Sequence, residues 1–241
     1  MSGVVETHDL TMRFGGVTAV DGVNFSLGER ELRCLIGPNG AGKSTFFKCI
    51  IGQYALTPEK NGRVLIRGTD VTGWNTHEIV RLGVGIKTQI PSVMNGLTVQ
   101  ENLWLSARRI HGWGGASGAV EEISAELRLD DQLRRLVGEL SHGQRQMVEI
   151  GVVLVQRPWL VLLDEPAAGM TGNEVERLIG VIQRINQTAS VIVVDHDMEF
   201  VRMLGSRVTV FHQGSILLEG PSHTVLVDPA VREVYIGNRA A

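Results

Sequence analysis

Gly37-Pro38-Asn39-Gly40-Ala41-Gly42-Lys43-Ser44 restricts the fold of this chain more than any other segment. It follows a β-rich run, Glu31 to Ile36, and leads into helix-forming residues from Lys43 to about Ile51. The spacing G-x-x-x-x-G-K-[ST] at a strand-to-helix turn is that of a phosphate cradle. Glycines let backbone N–H groups curl around a phosphate, and the positive end of the helix adds to the attraction. Lys43 then reaches the outer phosphates as a point charge, the Ser44 hydroxyl is a ligand for Mg²⁺, and Thr45 completes the set.

A second segment, Leu160-Val161-Leu162-Leu163-Asp164-Glu165, is an apolar strand ending in two carboxylates. On its own this pattern marks many solvated strand ends. Beside a phosphate cradle it places Asp164 at the Mg²⁺ shell and Glu165 where an attacking water is oriented or deprotonated.

The rest of the chain reads as alternating strands and helices around an insert. Val4 to Phe14, Thr18 to Leu27, Gly62 to Arg67 and Val84 to Thr88 read as strands, and Thr76 to Leu82 as a helix. Thr98 with Glu101 forms a capping-box pattern that opens a helix to about Ile110. Gly112 to Gly118 reads as an exposed loop, and a second helix covers about Ala119 to Leu129. A third starts at Ser141, capped by Gln144, and extends to about Gln156. Trp159 to Leu163 and Val191 to Val194 are buried strands flanking an amphipathic helix, Asn173 to Gln187, and Met198 to Leu204 is a short helix. The tail reads as two strands, Arg207 to Phe211 and Ser215 to Leu218, and one helix, Val225 to Ile236. The expected organisation is one α/β unit over residues 1–241, with a core of about 1–90 and 158–241 and a helical insert of about 91–157.

Composition narrows the remaining classes. With 241 residues, 43% apolar and 20% charged, the chain can bury a large core, and global disorder is excluded. A net charge of −3 gives no bulk attraction to nucleic acid. Cys34 and Cys49 fit no disulfide framework or metal spacing and read as small buried hydrophobes of a reducing compartment. No secretory signal opens the sequence, and no uncharged apolar run is long enough to span a bilayer.

Leu140-Ser141-His142-Gly143-Gln144 narrows the field further. By itself it is a helix N-terminus with free N–H groups. Its position after the phosphate loop and one helix upstream of Asp164-Glu165 resembles the ATPase subunits of ABC transporters. That resemblance implies a P-loop NTPase core with a RecA-like, mostly parallel sheet, an antiparallel β subdomain and a helical insert subdomain. It also implies roles for further residues. Gln89 is similar to the Q-loop glutamine near Mg²⁺ and the γ-phosphate, His196 to the switch histidine, and Phe14 to the ring that stacks on adenine. Ser141, Gly143 and Gln144 are implied to complete the ATP site of a neighbouring subunit.

Arg13 to Gly16, Leu97 to Leu103 and the tail resemble the branched-chain amino acid and amide uptake systems. Ile90-Pro91-Ser92, the His142 signature, Glu165 to Met170 and Asp195 to Val201 lean toward urea-uptake ATPases within that group. The implied partners are a second ATPase subunit, identical or paralogous, two membrane permeases and a periplasmic or extracellular solute-binding protein, with no nucleic acid. The implied location is the cytoplasmic face of the membrane, as a peripheral subunit. Val93, Met94 and Trp104 are candidates for docking a permease helix. Two residues depart from the pattern, which commonly has Gly at His142 and Asp at Thr171. The second departure suggests pairing with a non-identical ATPase subunit.

Soluble ABC-type ATPases of DNA or ribosome resemble fused pairs or coiled-coil-split heads, and this chain has neither feature. A GTPase lacks support because no Asn-Lys-x-Asp occurs, and Glu165 with His196 argues against a non-catalytic nucleotide sensor.

Overall fold

Short runs of alternating burial at the start of the chain pair into an antiparallel sheet, and the continuous apolar runs become parallel strands. The computed structural model describes residues 3–237. Its first part comprises β1 (Val5–Phe14), β2 (Val17–Leu27), β3 (Leu32–Ile36), α1 (Lys43–Ile50), α2 (Pro58–Asn61), β4 (Arg63–Ile66), β5 (Thr69–Asp70), α3 (Thr76–Arg81) and β6 (Val84–Lys87). Two long helices follow, α4 (Val99–Leu127) and α5 (His142–Leu154), joined through two 3₁₀ turns. The chain then runs through β7 (Leu160–Asp164), α6 (Gly172–Asn186), β8 (Ser190–Val194) and α7 (Met198–Leu204). It finishes with β9 (Arg207–His212), β10 (Ser215–Pro221), α8 (Ser222–Val225) and α9 (Pro229–Gly237).

The strands form two sheets, ordered β2-β1-β4-β5 and β10-β9-β3-β8-β7-β6. All pairs in the first are antiparallel. In the second only β10 runs against its neighbour. Successive side chains of a strand face opposite ways, so the large sheet feeds two cores. Cys34, Val161, Leu163, Val191, Val193 and Val208 pack toward α4, α5, α6 and α7. Leu35, Leu160, Leu162, Ile192, Val194 and Phe211 pack instead with Phe46, Phe47 and the antiparallel sheet. Both cysteines are buried and unpaired, and burial pushes each thiol up to about 12. Among the described residues no helix is long and apolar enough to cross a membrane.

The glycine-rich stretch after Ile110 is helix, not the exposed loop its composition suggests. Only Gly112 leaves helical geometry, at φ 65 and ψ −175, and α4 resumes beyond it after a kink. Tertiary packing outweighs the roughly 1 kcal/mol that each helical glycine costs relative to alanine. Trp113 meets Trp104 edge-to-face at 5.1 Å, and Ala116 and Val120 are buried in the main core. The conformation of Gly112 is nearly restricted to glycine. Gly112→Ala is therefore expected to cost about 1–3 kcal/mol, although nothing lies within 4 Å of the added carbon. Urea denaturation measures this, and an unchanged midpoint would contradict it.

The expected single C-terminal helix is two. The chain breaks at Asp228-Pro229, where Pro229 starts α9 and the Asp228 carboxylate accepts the Ala230 N–H at 2.9 Å. Proline is favoured in a first helical turn but cannot continue the preceding helix.

This topology fixes the site. β3, β8 and β7 are adjacent and parallel, so their C-terminal ends emerge along one edge. That edge is where open parallel sheets bind ligands.

Candidate active site

The loop after β3 carries the phosphate cradle. Gly37 has φ 147, and a Cβ there would collide with the carbonyl of Phe211. Gly42 has φ 104, and its Cβ would strike the carbonyl of Ala19. Those positions admit glycine alone, which leaves Pro38, Asn39, Gly40 and Ala41 to form an open turn between them. Gly42 precedes α1 without a side-chain cap, so the first amides of Lys43, Ser44 and Thr45 remain available to an anion. Lys43 is largely buried, and its Nζ donates to the carbonyls of Gly37 at 2.6 Å and Pro38 at 3.0 Å. The loop thus holds its own lysine in place. Burial lowers the Lys43 pKa, while Glu165, Asp164 and Asp195 oppose that shift.

β7 delivers Asp164 and β8 delivers Asp195 to the same edge. Asp164 is 2% exposed, and its Oδ1 is buried with no hydrogen-bond partner. Burial pushes this carboxyl up to about 6, helped by Glu165 and opposed by Lys48 and Lys87. The folded state therefore holds this proton more tightly than the unfolded chain does. Asp164 costs stability above pH 6, and the cost fades as pH falls toward its ordinary value of 3.8. Asp164→Asn is expected to gain about 1–3 kcal/mol at pH 7.5 without ligand, with the gain shrinking between pH 6 and pH 4. Thermal denaturation checks this, and a pH-independent gain would place the effect elsewhere.

Asp195 opens the Asp195 to Val201 motif, but the motif assigns it no role in the site. Its Oδ1 accepts the N–H of His196 at 2.7 Å and of Asp197 at 3.0 Å, while Oδ2 is buried and unpartnered. Burial raises its pKa and those two N–H groups oppose the rise. The signal that would have found it is the one that found Asp164, an acid ending an apolar strand. Glu165 lies in the left-handed region, at φ 45, with its N–H bonded to the Val194 carbonyl at 2.8 Å. This conformation aims the carboxylate across the strand ends, where Oε1 stands 3.5 Å from Nδ1 of His196.

The remaining candidates lie on other segments. Phe14 is 45% exposed at the end of β1, with its edge against Tyr54 at 5.2 Å. Gln89 is exposed just beyond β6. Ser141 caps α5: its Oγ accepts the Gln144 N–H at 3.2 Å, and the Gln144 side chain accepts the Ser141 N–H at 3.0 Å. Gly143 follows in the same first turn. Among the described residues no hydrogen bond joins Ser141, Gly143 or Gln144 to the phosphate loop.

A second feature was invisible in the sequence. Lys87, the last residue of β6, lies 3.4 Å from the Glu149 carboxylate on α5, and the two side chains are 2% and 3% exposed. Lys87 pairs in register with Leu163, just before Asp164, and precedes Thr88-Gln89. One buried cation thus stands between α5, the Gln89 segment and the acidic strand end.

The site can hold a nucleoside triphosphate through amides and Lys43, with acids positioned for a metal and a water. Among the described residues no group of three or more His, Cys, Asp or Glu forms a metal cage. A cation here needs oxygens from a bound phosphate as well, as Mg²⁺ in nucleotide sites does.

Known proteins resemble this chain in sequence and in fold. A family model described as "ABC transporter" matches residues 20–168. The chain is 32% identical to the high-affinity branched-chain amino acid transport ATP-binding protein BraF of Pseudomonas aeruginosa, over 97% of this chain and 98% of that protein. It is 31% identical to LivG of Escherichia coli, a protein of the same description, with the same coverage. A crystal structure of an ATP-binding cassette of an ABC transporter in its ADP conformation superposes with a TM-score of 0.85 at 28% identity, covering 98% of this chain and all of that one. A nucleotide-free cassette gives 0.85 at 28% identity, covering 97% and 99%.

Proposed function

The chain belongs to the ABC transporter family and is an ATP hydrolase, and from that premise we propose that it powers solute import through separate membrane permeases. The observation that carries this is the convergence of Lys43, Asp164, Glu165, Asp195 and His196 on one sheet edge.

In the proposed reaction, water attacks the γ-phosphorus of ATP in line with the β–γ bridging oxygen, giving ADP and inorganic phosphate. Glu165 accepts the proton of the attacking water. Lys43 and the amides of Gly40 to Thr45 hold the phosphates, and His196 contacts the γ-phosphate. Positioning and charge stabilisation supply most of the rate. Ser44, Gln89 and Asp164 are the residues that would hold Mg²⁺, together with phosphate oxygens. The unpartnered Oδ1 of Asp164 suits that role. When bound, the ion neutralises charge on the phosphoryl oxygens. Phe14 stacks on adenine, with Tyr54 bracing its edge.

Ser141, Gly143 and Gln144 serve a neighbouring subunit's nucleotide, the role that the resemblance of Leu140 to Gln144 implies, with the first-turn amides of α5 as the donors. ATP then closes a head-to-tail pair of ATPase subunits and hydrolysis loosens it. The second subunit is identical or paralogous. Thr171 stands where the resembled pattern commonly has Asp and bonds to Glu174 in its own helix start, so the loss of that carboxylate is what favours a non-identical neighbour. The permeases dock on the helical insert, over a hollow of about 380 Å³ lined by Leu97, Trp104 and Leu105 together with Gln100 and Glu101. The chain works at the cytoplasmic face of the membrane.

The relatives carry branched-chain amino acid names, so import of such an amino acid is the first reading of the solute. Urea or a short amide is the second, supported by the His142 signature and by Glu165 to Met170. A solute-binding protein supplies that choice. Two measurements on the complex purified with its native partners test the proposal. Phosphate release from ATP is expected to rise when loaded binding protein is added, and its absence would overturn the transport reading. Uptake of labelled leucine against labelled urea into vesicles decides the solute.

A further inference from the structure

His142 and Thr171, the two departures from the pattern that the motifs resemble, meet at a single junction. His142 opens α5, and its Nε2 lies 3.0 Å from the carbonyl oxygen of Ala168. A carbonyl only accepts, so this contact is a hydrogen bond with the proton on Nε2; the Gln146 amide nitrogen, 3.4 Å from the same Nε2, is the longer of its two contacts. The imidazole lies over Gly169, whose φ is +70 and where a Cβ would stand 2.8 Å from Cδ2 of the ring. One residue on, Gly143 is buried, and a Cβ there would collide with the Glu174 carboxylate. That carboxylate is itself held by the Thr171 N–H at 2.8 Å and the Thr171 hydroxyl at 2.9 Å. The first turn of α5 is therefore fitted at one point to the loop after Glu165, at Ala168 and Gly169, and at a second to Glu174 in the first turn of α6, which Thr171 holds.

We propose that His142 is a positioning residue that ties the signature helix to the loop following Glu165 within one subunit, so that the two ends of this unit move together. The inference rests on the head-to-tail pairing proposed above. In that pairing Glu165 serves the chain's own ATP and Ser141 serves the neighbour's. The exposed hydrogen bond between Ala168 and His142 then passes the state of one nucleotide to the other. Glycine at 142 supplies neither the N–H donor nor the ring that covers Gly169. The link does not hold α5 in the fold, because the buried Lys87–Glu149 pair and the packing of Met147 and Val148 anchor that helix independently.

The test uses the complex with its native partner subunits and compares wild type with His142→Gly and His142→Gln. His142→Gly is expected to keep ATP affinity within about twofold, because no phosphate ligand is removed. Loss of one positioning hydrogen bond is expected to lower kcat about five- to tenfold and bring the Hill coefficient for ATP toward 1. His142→Gln restores an N–H donor and is expected to recover most of both. Wild-type kcat and Hill coefficient in His142→Gly would overturn the proposal, as would a His142→Gln variant no better than His142→Gly. A wild-type Hill coefficient of 1 would equally overturn the link between sites. A wild-type complex that hydrolyses no ATP would instead overturn the functional reading beneath it.

Discussion

Glu165→Gln is expected to keep ATP binding and lose about 10²–10⁴-fold in hydrolysis, the usual worth of a positioned general base. The substitution preserves shape and the left-handed backbone at φ 45, but it removes the proton acceptor beside His196. Lys43 and the loop amides are untouched, so nucleotide affinity should hold. With hydrolysis blocked, ATP should also trap the paired state of the subunits, seen as a nucleotide-dependent shift in size-exclusion chromatography. Turnover of ATP by Glu165→Gln at the wild-type rate would assign the base elsewhere.

The second large effect concerns Lys87 and Glu149. Their charges are almost wholly removed from water, so either one alone is an uncompensated buried ion. Lys87→Met and Glu149→Leu are each expected to cost about 3–5 kcal/mol. The double variant replaces the pair with apolar groups and is expected to recover most of that loss, since buried ion pairs stabilise little over a packed hydrophobic isostere. Equilibrium denaturation in urea measures the cycle. Single variants as stable as wild type, or a double variant no better than the singles, would show that water or another group compensates these charges.

What could be read from the residues alone was local chemistry. The phosphate loop is legible because glycines at Gly37 and Gly42 are forced by backbone collisions, which depend on a few neighbours. The helix starts at Thr98 and Ser141 are legible because each cap is made by a residue three positions on. Where the sequence misled, packing between distant segments decided the outcome. Gly112 to Gly118 looks like a loop by composition, yet Trp104 and the core hold most of it helical. Nothing in the sequence joins Lys87 to Glu149, and only the folded sheet and α5 bring them together. Asp195 takes its place in the site through burial at the end of β8 and the N–H of His196, both of which depend on the folded sheet. The solute is reached only through resemblance, toward urea by four motifs and toward branched-chain amino acids by the relatives, since no part of this chain binds it in the proposed assembly.

Lys43 carries the central claim, that this loop grips the phosphates of ATP. Isothermal titration of ATP into the purified protein tests it most directly, alongside Lys43→Ala. One ATP bound per chain in the wild type, with binding abolished in the variant, is the outcome expected. A wild-type protein that binds no adenine nucleotide, or a Lys43→Ala variant that binds it equally well, would contradict the account.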